Sequence, residues 1–240
     1  MNKTVELNES ATAISFCTPT FERSSAARVP AWAKWAFTAF MAVLVPIYWA
    51  HYGPTNFLYF CDMALFLTLI AVWTESPLAA STAAVGILIP QMFWCVDFIC
   101  ELTGHPLSHM TGYMFDVHRP LYLRGLSLFH GWLPFLLLFL VKRLGYDRRA
   151  LAVWTILAWV LCLIAFFFLP PAGAHLTNPS TPVNVDYVFG TNDAEPQHWM
   201  APGLYLVVWM LGLFAVFFAP AHFLLRRFMK NSAAAQVTYE

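Results

Sequence analysis

Charged and imidazole side chains interrupt the long apolar stretches of this sequence. Asp62 lies within FLYFCDMALFLTLIAVW (57–73), and His130 lies within LYLRGLSLFHGWLPFLLLFLV (121–141). Ionised groups are costly in hydrocarbon, so such residues usually face the protein interior and mark a function. A buried imidazole can act as a general base or proton carrier, and a nearby carboxylate can orient it.

A second set of polar residues follows one face of the third apolar stretch. Pro90, Trp94, Asp97 and Glu101 recur at helical spacing. Asp97 and Glu101 are one turn apart and repel each other if both ionise, so a proton or a cation is expected between them. Arg124 is the candidate cation. This face is therefore either part of a functional pocket or a structural ion pair that fixes helix packing.

Arg124, Ser127 and His130 follow one another at three-residue steps in the fourth stretch. Pro134 has no backbone N–H, so the carbonyl of His130 loses its helical partner, and a kink is predicted about one turn below the imidazole. His130 is either a base beside freed backbone or a histidine satisfied by a neighbouring helix.

The segment GHPLSHMTGYMFDVH contains His105, His109 and His118, a residue type that binds zinc or copper. Pro106 separates the first two histidines, and the segment matches no recognised metal motif. We therefore predict neither a metal nor another cofactor.

Composition indicates where these residues must function. Of 240 residues, 60% are hydrophobic and only 11% charged, with a mean hydropathy of +0.61. Soluble domains are far more polar, so the chain is predicted to be an integral membrane protein that contacts membrane lipids. The formal net charge is zero, which gives no basic surface for nucleic acid.

Hydropathy predicts an all-α fold, a bundle of six transmembrane helices. The predicted spans are 31–50, 55–74, 78–102, 121–141, 149–169 and 202–224. They make up a transmembrane domain, 30–226, between tails at 1–29 and 227–240.

Basic residues predict the orientation of the chain, because Lys and Arg accumulate on the cytoplasmic side. Three clusters fall on one side of a six-span topology and place both termini in the cytoplasm. They are Arg23, Arg28 and Lys34; Lys142, Arg143, Arg148 and Arg149; and Arg226, Arg227 and Lys230. Asp62 and Asp97 then lie roughly 8 to 10 Å below the outer surface, and His130 roughly 13 Å below it.

Two stretches, AVGILIPQMFWCVDF and LSLFHGWLPFLLLFLV, resemble the androgen-induced and androgen-dependent membrane hydrolases, a family of six-span proteins. YGPTNFLYFCDMALF resembles the second span of that family in the same register, so the resemblance covers roughly 50–141. Its specific element is His-x-x-Leu-Pro-Phe at His130, which implies that His130 is the intramembrane catalytic histidine.

This chain departs from that family at the nucleophile, because Tyr59 occupies the position of the family's threonine. Candidate replacements are Cys61, Ser127 or a water molecule held by Asp62. RGLSLFH and VNVDYVFG also resemble stretches of bacterial proteins described only as membrane-associated. That resemblance favours a bacterial inner membrane over a eukaryotic membrane.

The sequence thus predicts a polar pocket in the outer half of the bilayer that suits a lipid-like molecule. The first hypothesis is a lipid-ester hydrolase or acyl transferase, and the alternatives are a non-catalytic lipid-binding or accessory subunit and a proton-coupled transporter. The predicted catalytic residues are His130, Asp62, Asp97, Arg124 and Tyr59, and the predicted pocket residues are Trp94, Glu101, Ser127 and Cys61.

Overall fold

The computed structural model describes residues 29–105, 107–108 and 110–229, and within these ranges the chain is helical without a β-strand. The predicted tail 1–29, except Val29, and the end of the chain from Lys230 lie outside the described residues. The α-helices are α1 (Ala31–Tyr52), α2 (Phe60–Thr74), α3 (Pro77–Leu102), α4 (Leu121–Ser127), α5 (Phe129–Leu144), α6 (Ala150–Phe168), α7 (Pro202–Leu213) and α8 (Ala219–Phe228).

Five of the described helical segments are long and apolar enough to cross a membrane. They are α1, α3, α4 with α5 (Leu121–Leu144), α6, and α7 with α8 (Pro202–Phe228). Large apolar side chains cover their outer faces, including Phe135 at 70% and Phe168 at 80% exposure. A surface of this kind is typical of an integral membrane protein, whose solvent is hydrocarbon.

The remaining apolar helix, α2, has only 15 residues and starts later than the sequence predicts. Gly53 has a positive φ of 82°, and a short 3₁₀ turn, Pro54–Leu58, follows before the α-helix begins. Glycine adopts this backbone conformation without a steric penalty, and the proline fixes the following turn. The chain therefore uses residues 53–59 to reverse direction.

α2 returns the chain to the level at which α1 begins. The Nζ of Lys34, near the start of α1, lies 2.8 Å from Oε1 of Glu75, directly after α2. The indole N–H of Trp73 also donates to the hydroxyl of Thr38, at 2.9 Å. α1 and α2 are therefore an antiparallel pair of similar extent.

α3 lies at the centre of the bundle and packs against α2, α5, α6 and the C-terminal helical segment. Its first half is lined with small buried residues, among them Ala80, Ala83 and Ala84. At Gly86, an added Cβ would lie 2.0 Å from the ring of Trp154 on α6. Small side chains thus let neighbouring helices approach closely, as in other membrane bundles.

Candidate functional site

His130 follows the break between α4 and α5. Its Nδ1 lies 2.8 Å from the carbonyl oxygen of Ser127, and the backbone N–H of Gly131 donates instead to Leu128, at 2.9 Å. The imidazole thus replaces one bond of the helical ladder. Because a carbonyl only accepts, Nδ1 carries the proton and Nε2 of the neutral ring is a proton acceptor.

The ring of His130 is held between two aromatic side chains. It stacks on Trp94 with a centroid distance of 4.8 Å and on Phe129 at 4.1 Å. The carbonyl of His130, which Pro134 leaves without a helical partner, accepts from the thiol of Cys95 at 3.7 Å. α5 continues as an α-helix through Pro134.

The helical interruption lies at Leu128, above the imidazole, where the backbone turns between α4 and α5. At this position the imidazole of His130 forms a hydrogen bond with the carbonyl of Ser127, so the regular helical hydrogen bonds are interrupted there. The sequence does not predict this interruption, which the hydrogen bond of the histidine accounts for.

A group of hydroxyls adjoins this histidine. The Tyr48 hydroxyl lies 2.9 Å from Oγ of Ser127, and this Oγ donates to the carbonyl of Leu123 at 3.1 Å. Burial raises the pKa of Tyr113, in the loop before α4. Ser127 Oγ is thus engaged by Tyr48 and Leu123.

Asp62 lies in the first turn of α2 and is 3% exposed. Its Oδ2 accepts a hydrogen bond from the side-chain amide of Asn56, at 3.0 Å. Its Oδ1 is buried without a hydrogen-bond partner among the described residues. Carboxylates are favoured at helix N-termini by the helix dipole, which accounts for the position of Asp62 but not for its unpaired oxygen.

A second acid, Asp186, reaches the same helix end and is missing from the sequence prediction. Its Oδ1 accepts from the backbone N–H of Phe60, the first residue of α2, at 3.1 Å. Its Oδ2 is buried and, within the described part of the chain, has no hydrogen-bond partner. Burial and, to a smaller extent, the charge of Asp62 raise the pKa of Asp186 well above its usual value.

The loop that carries Asp186 is held in an unusual backbone conformation. Asn184, Asp186 and Tyr187 have φ values of 51°, 56° and 60°, a left-handed region that is costly for a tyrosine. The side-chain amide of Asn184 donates to the carbonyl of Gly190 at 2.9 Å, and its oxygen accepts from the N–H of Phe189. These bonds hold the loop so that Asp186 turns onto α2.

Asp97 has a different environment from Asp62. One carboxylate oxygen accepts from the backbone N–H and hydroxyl of Ser108, at 2.7 and 2.9 Å. The other oxygen accepts from the backbone N–H and hydroxyl of Thr111, at 2.9 and 2.8 Å. Asp97 therefore fastens the loop between α3 and α4 to α3, and the hydrogen bonds of that loop occupy its carboxylate.

Arg124 does not neutralise the acids of α3. Its Nη1 donates to the carbonyl oxygen of Met114 at 3.1 Å, and it forms no ion pair within the described residues. The predicted ion pair of Arg124 with Asp97 or Glu101 is not found among the described residues, and four donors from Ser108 and Thr111 already surround the carboxylate of Asp97. Glu101 lies half-buried at the end of α3.

The predicted residues therefore separate into three groups. Trp94, Ser127 and His130 lie together. Tyr59, the residue before α2, and Cys61 lie beside Asp62, and the Cys61 thiol is 3.9 Å from Asp62 Oδ2. Asp97, Glu101 and Arg124 belong to the outer ends of α3 and α4.

The histidines of the outer loop give no metal centre in the described part of the chain. His105 and His118 are exposed, and His109 lies outside the described residues. Among the described residues, no group of three or more His, Cys, Asp and Glu side chains has a geometry that could hold a metal ion.

Other buried polar atoms lie at a similar depth. Both amide atoms of Gln91 and the indole N–H of Trp94 are buried without a hydrogen-bond partner in the described residues. Counted along α2 and α3 from the turn that joins them, Asp62 and Gln91 both lie roughly 20 Å from that turn. The half of the bundle away from the α2–α3 turn thus contains a band of polar groups.

Comparisons with known proteins add no further assignment. No family model, curated protein or solved structure matches this chain. The function proposed below is therefore based on the chemistry of the described residues.

Proposed function

We propose that this chain is a six-span membrane protein with both termini in the cytoplasm, located in a bacterial inner membrane. Support comes from the Lys34–Glu75 ion pair, which brings the end of α2 back to the start of α1. α2 then counts as a crossing although it is short. Exposed arginines and lysines at 142–149 and 226–227 fall on the same side as Lys34 in this topology.

Within this topology, we infer that the polar band acts on a lipid ester, with His130 as the base. The supporting observation is the bond between Nδ1 of His130 and the carbonyl of Ser127. It fixes the tautomer in which Nε2 accepts a proton, the arrangement that general-base catalysis needs. The distant resemblance to the androgen-induced hydrolases around His130 agrees with this role.

The attacking group in this proposal is a water molecule. Ser127 Oγ already donates to Leu123, and the Cys61 thiol lies beside Asp62. Water would lose a proton to Nε2 of His130 while its oxygen attacks the ester carbonyl, and the imidazolium would then protonate the leaving alcohol. An acyl transferase would use an acceptor alcohol in place of water.

The test is ester hydrolysis by the purified chain across a panel of lipid esters in detergent. His130→Ala should lower the rate by about 100-fold or more, the contribution of a general base. His175→Ala removes an exposed histidine and serves as the matched control. Covalent labelling by an acylating probe would contradict the water mechanism.

A non-catalytic lipid-binding or accessory role is the second candidate. It is favoured by the hydrogen bonds of His130, none of which joins its ring to a hydroxyl or thiol within the described residues. Equal rates for wild type and His130→Ala on every ester would leave this role standing. A proton-coupled transporter using Asp62, Asp97 and His130 is less favoured, since the outer loop occupies the carboxylate of Asp97.

A further inference from the structure

Two carboxyl groups from distant parts of the chain meet at the N-terminus of α2. Asp186 accepts from the backbone N–H of Phe60, and Asp62 is two residues further along the same helix. Asp62 is also among the charges that act on Asp186. The loop 169–201, called the outer loop from here on, thus brings a second acid to the helix end that already carries Asp62.

Each acid keeps one buried oxygen for which the described residues offer no donor. These atoms are Oδ1 of Asp62 and Oδ2 of Asp186, in residues that are 3% and 5% exposed. A buried carboxylate oxygen without a donor is costly, and two such carboxylates at one helix end also repel each other. This arrangement requires a positive charge.

No described basic side chain supplies that charge. Lys34 and Arg149 pair with Glu75 and Asp147. Arg119 donates to the hydroxyl of Tyr52, and Arg124 to a backbone carbonyl. These four side chains are therefore engaged elsewhere, and the other described lysine and arginine side chains, at 142, 143, 148, 226 and 227, are exposed.

The other titratable groups around the two acids are neutral or acidic. None of them is a cation. They are Tyr48 and Tyr52 on α1, Tyr59 and Cys61 at the start of α2, Cys162 on α6, and Tyr187 beside Asp186.

We propose that Asp62 and Asp186 form a proton-binding site, in which the two carboxyl groups together hold one proton between α2 and the outer loop. The proton resides on one of the two carboxyl groups, so the pair carries one negative charge instead of two. Like-charged carboxylates that share a site retain a proton for this reason. This site is independent of ester hydrolysis at His130.

The bound proton also couples the outer loop to the bundle. Asp186 is the residue through which the loop contacts the N-terminus of α2. When the proton leaves, two buried negative charges face each other and the loop contact is weakened. Proton loss on alkalinisation should therefore release the loop from α2.

Infrared spectroscopy of the full chain in lipid nanodiscs tests the site directly. We expect a protonated-carboxyl C=O band at neutral pH that shifts in D₂O and disappears on alkaline titration. Asp62→Asn or Asp186→Asn should move the titration of the remaining carboxyl to lower pH, because the like charge is gone. The double variant should abolish the band, whereas Asp116→Asn, at an exposed acid, should leave it unchanged.

Three results would overturn the proposal. The first is a wild-type spectrum without a protonated carboxyl at neutral pH, and the second is a band that persists in the double variant. The third is a band whose titration is the same in both single variants as in wild type. A band that appears only when sodium is replaced by a large organic cation would assign the site to a metal cation instead. The wild-type titration does not depend on how well any variant folds.

Discussion

Asp62 and Asp97 lie at similar predicted depth on neighbouring antiparallel helices, yet their environments are opposite. Asp97 accepts four hydrogen bonds from Ser108 and Thr111. Asp62 accepts from Asn56 and from the Cys61 thiol on one oxygen, and its other oxygen has no hydrogen-bond partner among the described residues. Depth in a membrane thus indicates which acids are buried, whereas the partners decide which of them are structural.

The largest expected effect is at Asp97. Asp97→Asn replaces one acceptor oxygen with an amide that faces the donors of Ser108 or Thr111. We expect a loss of about 3 kcal/mol in the free energy of unfolding, because hydrogen bonds to a charged group are lost and buried donors are left unpaired. Denaturant unfolding in detergent measures this, with Asp116→Asn as control. Equal losses in the two variants would contradict a structural role for Asp97.

A pH titration of stability is expected to show the next largest effect. Burial raises the pKa of Asp186, so its contribution is fully present below the unfolded pKa of about 3.9. It declines as pH rises, by up to about 1.4 kcal/mol per pH unit until the folded pKa is reached. Asp186→Asn should flatten this decline. An unchanged slope in the variant would argue against a buried, protonated Asp186.

Asp147 should respond to pH in the opposite sense, which provides an internal reference. Its hydrogen bonds with Arg149 lower the pKa of the Asp147 carboxyl. The resulting stability is therefore present at neutral pH and is lost as pH falls through the folded pKa. Asp147→Asn should reduce the loss at acidic pH and leave the alkaline side unchanged.

A substitution of Arg124 tests whether Asp97 depends on an ion pair. Arg124→Leu should cost about 1 kcal/mol through the lost hydrogen bond to Met114. Because Arg124 does not pair with Asp97, the double variant with Asp97→Asn should lose the sum of the two single losses. Recovery of stability in the double variant would instead support the ion pair between Arg124 and Asp97 that the sequence suggests.

The smallest effect is expected at Asp62. Asp62→Asn keeps an oxygen to accept from Asn56 and removes a buried charge that acts on Asp186. The free energy of unfolding should therefore change by less than about 1 kcal/mol at neutral pH. The free energy of unfolding of Asp62→Asn is measured beside that of Asp97→Asn. Similar losses in the two variants would refute the difference between the two acids.

Much of the helical layout follows from hydropathy alone. Long apolar runs with turn chemistry at their ends predict helices close to α1, α3 and α6, because backbone bonds in hydrocarbon must be satisfied within the helix. The start of α2 does not follow in this way. There the positive φ of Gly53 and the 3₁₀ turn Pro54–Leu58 shorten the helix, although the apolar composition continues.

The candidate site is less predictable from the sequence than the helices. His130 and its neighbour Trp94 are signalled by their residue types and spacing. Asp186 is not predicted from the sequence because its hydrogen-bond partner Phe60 is 126 residues away. Hydropathy places Asp186 in a polar loop. The available signal is local: Asn184 and Asp186 are residue types that tolerate a left-handed backbone, and they alternate with buried valines.

The brevity of α2 has a consequence for biosynthesis. At 15 residues it extends roughly 22 Å, less than the ~30 Å hydrocarbon core, and it carries Asp62 in its first turn. Such a segment has little tendency to partition into the bilayer by itself. We expect it to remain at the translocon until α1 and α3 flank it, so that the first three helices enter the bilayer as one unit.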